Sequence, residues 1–556
     1  MANVMNELSM SHKILHTQRS PKETPAPVCP SLGRSGLIVS MVASMPSPFT
    51  AGMVKAIYSS YWENLIRVLH RPTFERDFNT AARATQNGGT VPKELEFVIP
   101  QFLATLALTG PLAGRGVLDK VEFSEEKISK WADLVQRYVD DLKGKELLNL
   151  QNLRVQILLL LMHQNKIAPP SALWKESGNL SRTAMTMGLH HDPEDCGDLS
   201  VFQREQRRKI WRTIVELDIQ CSLAAGMPSA IQAPDFSSKS LRNLSDDDLK
   251  EDMLEFPPDK QPHEWTDSIA QIALGASIKE RLAIVNILGG KINLEPDAPL
   301  LLQRAKLLES HLYSLPAPLR SDTVAGRSND KVPGRLFAKI MLDVYLRRAL
   351  LSIYRTIAIS RFSARYPEAR RAAVQSSIAI LSHLDALDPA VADPNIIKDR
   401  DMLNHFHVLC KNDIIQAALM LCIEIRRFSF DTMDEVQDFR EELPWTKHSL
   451  TRIVENTLNS FIQRLGEFGS DLKDIVPLSI VLQSVRSDGT PEEKRQSMRN
   501  GAERILKACR AILPDIQGRM PQGQNTDGNG TTETHEANNS SEANAGNGVR
   551  IIIGSH

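Results

Sequence analysis

Apolar residues along the chain recur at steps of three and four far more often than they alternate, the periodicity of helices with one buried stripe. The clearest run starts near Phe202 and passes through Ile210, Trp211, Ile214, Leu217, Cys221 and Leu223. It stops at Gly226 and Pro228, with Arg207, Arg208 and Lys209 off the stripe. Similar patterns predict helices over 125–142, 150–162, 171–189, 265–288, 300–312, 335–359, 367–387, 402–426, 448–465 and 493–512. Pro169 and Pro170, Pro193, Pro257 and Pro258, Pro316 and Pro318, and Pro389 and Pro394 punctuate them. Strand-like alternation is nearly absent and no fixed repeat period joins the helices. The fold class expected is all-α, a large multi-helix assembly.

The ends read differently. Residues 1–50 carry Pro21, Pro25, Pro27, Pro30, Pro46 and Pro48 among Ser, Thr and Lys, a composition that predicts a flexible Pro-rich leader with no sustained helix. Residues 517–556 are dominated by Gly, Asn, Thr, Ser and Glu and predict a disordered tail, with a short apolar patch at Val549 to Ile553. Between Ser321 and Val332 polar residues replace apolar ones. The expected organisation is therefore 1–50, 51–325, 326–516 and 517–556, with 326–516 a helical region packed on 51–325.

At 556 residues the chain can bury a core without staples. Its 66 Lys and Arg against 67 Asp and Glu leave a net charge of -1, so no global basic field draws it to phosphate. Six cysteines, at 29, 196, 221, 410, 422 and 509, are too sparse for a disulfide framework and fit a reducing compartment. Residues 1–18 are polar and lack the apolar core of a signal peptide. The longest apolar runs noted, 37–45 and 157–162, fall short of the roughly 20 residues that span a bilayer, so no membrane association is expected.

Candidate chemistry is thin. The sequence holds no Walker loop, dinucleotide fingerprint, nucleophile elbow or HExxH. Ser31-Leu32-Gly33-Arg34-Ser35-Gly36 lacks the Lys-Ser/Thr of a phosphate loop and reads as linker. His190-His191-Asp192 offers three metal ligands in a row, but adjacent residues rarely converge on one ion. A helix end loosened by Gly188, followed by an Asp192-Pro193 turn, explains them. Asp246-Asp247-Asp248-Leu249-Lys250-Glu251-Asp252 has the carboxylates of a magnesium-dependent prenyl-diphosphate enzyme, with Asp247, Asp248 and Asp252 as ligands. The required second motif is incomplete at Asn412-Asp413, where Gln416 and Met420 stand in place of Ser and Glu. Ser245 capping an acidic first helical turn is the alternative. Arg204, Arg207, Arg208, Lys209 and Arg212 could face phosphate; helical spacing predicts a solvated face instead. No catalytic, cofactor or metal residue is therefore assigned.

Two segments carry more. Tyr61-Trp62-Glu63-Asn64-Leu65-Ile66-Arg67-Val68-Leu69-His70-Arg71-Pro72-Thr73-Phe74 pairs an aromatic helix with a His-Arg-Pro-Thr-Phe turn. The second runs from Ala184-Met185-Thr186-Met187-Gly188-Leu189-His190 through the Gln206 to Asp218 helix to Gly226-Met227-Pro228, followed by Asn243 and Asp247-Asp248-Leu249. In this order they resemble the fungal-specific transcription factor domain, the middle homology region of the fungal Zn(2)-Cys(6) binuclear cluster transcription factors. The likeness covers roughly 55–290 and, more loosely, 345–354. It implies a helical regulatory domain in the nucleus that controls RNA polymerase II genes of metabolic or secondary-metabolite clusters, with no catalytic residues and with Trp211 and Phe74 as large buried faces.

The family's six clustered cysteines have no counterpart in these residues, since only Cys29 precedes residue 196, and His191 stands where the family usually has Arg. The expectation is a regulator without its own zinc cofactor. It would reach DNA weakly or through a DNA-binding partner or the transcription machinery, as a homo- or heterodimer. The alternatives are the magnesium enzyme and a scaffold that responds to a small-molecule inducer.

Overall fold

Helices whose apolar stripes are too wide for one neighbour pack on several, and two such helices organise the molecule. The computed structural model describes residues 2–19, 33–86, 90–113, 123–165, 168–232, 238–320, 332–430, 444–466 and 471–512. Among the described residues every regular element is helical and no strand occurs, as the periodicity predicts. The expected 517–556 tail and Cys29 lie outside them.

α1 (Ala2–Arg19), α2 (Arg34–Ala43), α3 (Pro48–Tyr61) and α4 (Arg71–Gln86) precede α5 (Val98–Thr109), all of whose residues are buried. α2, α3 and α4 pack on α5, as do α6 (Glu125–Asp141) and α7 (Leu150–Asn165). α8 (Pro170–Thr186) and α9 (Val201–Ala225) form a closely packed pair that also meets α7. α10 (Ile269–Ala276), α11 (Ile278–Leu288) and α12 (Leu294–Tyr313) lead to α13 (Pro333–Ala358), the second organising helix. α14 (Pro367–Leu387), α15 (Asp401–Leu409), α16 (Lys411–Phe430), α17 (Lys447–Gln463), α18 (Leu472–Arg486) and α19 (Pro491–Ile512) complete the set. α13 touches α3, α9, α10, α11 and α12 on one side and α14 and α16 on the other.

Local signals set the ends. Ser200 caps α9, its hydroxyl accepting from the Gln203 amide while the Gln203 side chain accepts from the Ser200 amide. Gly226 ends the helix at φ 63, a left-handed conformation that costs glycine little. Gly188, at φ 71, closes α8 in the same way, with the Leu189 amide reaching back to the Ala184 carbonyl.

Several expectations change. The leader expected to hold no helix contains α1 and α2. Of the prolines, Pro21, Pro25, Pro27 and Pro30 lie in 20–32, outside the described residues, Pro46 lies between α2 and α3, and Pro48 opens α3 at a position that needs no amide hydrogen. Val4, Leu8 and Leu15 make a buried stripe on α1, which packs against α18 and α19. The glycine segment read as linker supplies Gly33 at the start of α2, where Arg34 pairs with Asp141 and Glu146. The 265–288 and 402–426 runs are each two helices, broken at Ser277 and Cys410. The His-Arg-Pro-Thr-Phe turn opens α4.

The described residues between 2 and 512 group into one compact unit, and the softer division at 321–331 falls outside them. Lys93–Leu112 is long and apolar enough to cross a bilayer, contrary to the expectation that every apolar run falls short of that length. It lies mostly inside the fold, as the central helix of a core does.

Candidate functional site

The polar residues singled out in the sequence converge on α9, which is walled in along most of its length. Arg208 and Lys209, expected on a solvated face, are each 2 % exposed. The expectation fails because α9 is covered by α7, α8, α11 and α13 and by the 238–268 segment, so its charged side chains meet acids brought from elsewhere in the chain.

Asp246 is the centre of one cluster. It pairs with the Arg67 guanidinium, lies 3.4 Å from Lys209 Nζ and accepts the Arg71 amide at 2.9 Å. The His70 ring donates from Nε2 to the Asp246 carbonyl at 2.9 Å. Lys209 also donates to the Leu69 carbonyl at 2.5 Å, and Thr213 to that of Arg67 at 2.7 Å. Glu63 folds the same segment on itself, accepting the Leu69 amide at 2.7 Å and the Tyr58 hydroxyl at 2.8 Å. Burial by itself would raise the Asp246 carboxyl; Lys209 and Arg67 outweigh it and hold the group well below the usual carboxylate range. Burial, helped by Arg67, lowers Lys209 to about 8. The two family-like segments are thus one buried ionic joint.

A second cluster lies along the same helix. Arg208 donates to Asp192 at 2.7 Å and to Glu194 at 2.8 Å, while Asp192 also takes the Lys239 amide at 2.7 Å. Arg207 donates to the Met187 carbonyl at 2.6 Å and Arg212 to the Ser238 and Lys239 carbonyls at 3.0 Å. Asp218 accepts from Ser229 at 2.5 Å and from the Ala230 amide at 2.9 Å, fastening the Gly-Met-Pro turn to α9. Glu216 pairs with Arg281 at 2.7 Å.

The metal candidates do not assemble. Asp192 turns to Arg208, and the His190 and His191 rings lie against each other with centroids 3.8 Å apart. Asp247 pairs with Arg71 and Asp248 with Lys260, so these carboxylates point to separate cations. The predicted acidic helical start at Ser245 is a single tight turn, Asp246–Asp248, in which Asp248 accepts the Ser245 amide at 2.8 Å. Asp413, of the incomplete second motif, pairs with Arg348 at 2.6 Å. Among the described residues no group of three or more His, Cys, Asp or Glu is placed to hold a metal ion.

Sequence reasoning misses the roles of Arg67, Arg154 and Arg281, all of them buried. Only Arg154 carries a signal, a lone guanidinium in the otherwise apolar and amide-bearing 150–165 helix, whereas Arg281 follows Lys279 and Glu280 and reads as an ordinary charge run. The fold also forms a partly open cavity of about 290 Å³ between the ends of α9 and α11, the C-terminal half of α13 and the start of α16. No sequence pattern marks it, because its wall comes from segments far apart in the chain.

Acid should loosen the Asp246 joint. Burial lowers His70 to about 4, beneath its value of about 6.5 in an unfolded chain. The unfolded state therefore binds more protons between these values, and the stability His70 contributes is present above about pH 6.5 and lost as pH falls toward 4. The stability difference across that window is on the order of 2–3 kcal/mol. His70→Gln, which keeps a donor for the Asp246 carbonyl, is expected to flatten that part of the melting-temperature profile; a variant as acid-sensitive as the parent would refute the assignment.

Residues 56–276 match the fungal specific transcription factor domain. The chain is similar to the transcription factor opdR of Penicillium oxalicum, 27% identical over 351 residues that make up 62% of this chain and 43% of the relative. It is similar to the transcription factor lepE of Aspergillus flavus, 21% identical across 88% of this chain and 58% of the relative. The Pyrrolocin cluster transcription factor fsdR of a Fungal sp. is 23% identical across 58% of this chain and 42% of its own. The chain spans about half the length of the curated relatives it matches. No solved structure matches it.

Proposed function

Given that the chain carries a fungal specific transcription factor domain, with relatives that are fungal transcription factors, we propose that it acts in the nucleus as the regulatory region of a regulator of RNA polymerase II genes in a secondary-metabolite cluster. The observation that carries this reading is the match over residues 56–276, which falls on the segments joined at Asp246. The domain is that of a transcription factor and not of an enzyme. Within the matched interval Arg67 and Lys209 pair with Asp246, and Arg208 with Asp192, so buried charge ties its segments together.

Relatives named for the pyrrolocin, fusarisetin A and equisetin clusters support the choice of target genes. DNA contact, in this reading, comes through a zinc-cluster region outside these 556 residues, on a partner or on the same polypeptide. Deleting the gene in its own fungus is expected to change together the transcripts of one biosynthetic cluster, several-fold or more. A transcriptome in which no such cluster moves would exclude this function.

A further inference from the structure

α13 turns Arg348, Leu351, Ser352 and Arg355 toward the cavity at the three- and four-residue spacing of one helix face. The wall contains three cations, Arg348, Arg355 and Lys411, and one carboxylate, Asp413. Arg348 is held by Asp413 at 2.6 Å, and Lys411 by Asp474 at 2.7 Å. Among the described residues Arg355 has no acidic partner, and its Nε is buried without a hydrogen bond. One positive charge in the wall is therefore unbalanced.

The rest of the lining divides into two kinds. Gln164, Asn412 and Gln416 contribute amides that make no side-chain hydrogen bond to the described protein, whereas Ser352 and Thr356 spend their hydroxyls on their own helix. Leu173, Met227, Leu288, Ile292, Leu351 and Val408 supply the apolar surface. At about 290 Å³ the space is at the lower end of ligand pockets, which run to about 1,000 Å³.

We propose that this cavity is a binding site for a small organic carboxylate with an apolar body, the carboxylate seated on Arg355 with help from the free amides and the body against the leucines and Ile292. A planar guanidinium meets a carboxylate through two parallel hydrogen bonds, a match of charge and shape that a hydroxyl cannot supply. A neutral ligand would leave the guanidinium desolvated and unpaired, and a cation would be repelled by it. A dianion would bring more charge than the one unbalanced cation can meet. Burial pushes the Arg355 guanidinium below its ordinary value, with no acid nearby to oppose it, which an incoming carboxylate would reverse.

The readout is binding to the purified full chain, so its failure leaves the regulatory reading, which is tested by transcripts, untouched. Titration calorimetry with 4-phenylbutyrate and 4-phenylbutanol separates charge from apolar contact. The acid is expected to bind at least about tenfold more tightly than the alcohol, a difference of one decade in Kd. Arg355→Gln is expected to erase that preference, weakening the acid by about tenfold relative to the alcohol. Ser352→Phe, which fills the cavity and keeps Arg355, is expected to abolish binding of both probes. Equal binding of acid and alcohol, no binding of the acid, an R355Q chain that keeps the preference, or an S352F chain that still binds would each overturn the proposal.

Discussion

Replacing Asp246 with alanine is expected to destabilise the folded chain by about 3–5 kcal/mol, because the change strands buried cations whose counter-charge it removes. Arg67 and Lys209 are each 2 % exposed, and both reach the same carboxylate. The loss also frees the Arg71 amide at the start of α4. Lys209, already lowered to about 8 by burial, can shed its proton once the carboxylate is gone, so the buried Arg67 guanidinium bears most of the penalty. A double variant, D246A with Arg67→Met, is therefore expected to recover part of the loss, since an apolar side chain of similar length needs no partner. Denaturant or thermal unfolding measures both. A D246A chain within about 1 kcal/mol of the parent would mean that the joint is solvated in solution, against the burial described.

Trp211→Ala is expected to cost a similar amount, about 3–5 kcal/mol, for a different reason. Trp211 is fully buried in the middle of α9, with its ring 6.2 Å from that of His190 across the Gly-Leu-His turn. Truncation leaves a void under that turn, and the close-packed helices around α9 can fill it only in part. Trp211→Phe, which keeps most of the volume, should lose about half as much or less. The comparison by thermal unfolding distinguishes packing from a contact of the indole nitrogen; equal losses for Ala and Phe would show that volume is not what matters there.

Legibility in the sequence followed how local each cause is. α14 was predicted at its observed bounds, because Pro367 opens it and its apolar stripe runs unbroken to Leu387. α9 is nearly as clear, its stripe starting near Phe202 and ending at Gly226. α5 escaped notice for the opposite reason: a helix buried on every side has no stripe, and periodicity has nothing to measure. α18 was hidden by Pro477, tolerated inside it. α1 was hidden by polar residues between Val4, Leu8 and Leu15.

The candidate site shows the same divide at larger scale. The residues of the joint were all inside quoted segments, but their pairing was not visible. Arg67 and Asp246 are 179 positions apart, and no rule of helical spacing links them. Charges off an apolar stripe usually face water, which is what the sequence alone predicts for Arg208 and Lys209. The 192–194 turn, the 67–71 segment and the 238–268 segment folding over α9 reverse that, and their courses have no periodic signal. Arg355 is less legible still, since its distinction is the lack of an acid that the fold could have delivered.

The span of α13 has a practical consequence. Residues 56–276 stop short of it, yet it lies against α3, α9 and α10 within that interval and against α14 and α16 beyond. A fragment trimmed to the recognisable homology would lose the helix that closes its flank. It would face water with apolar surface meant for α13, and would be expected to clump when produced alone. For this chain the boundary of ancestry is not a boundary of folding.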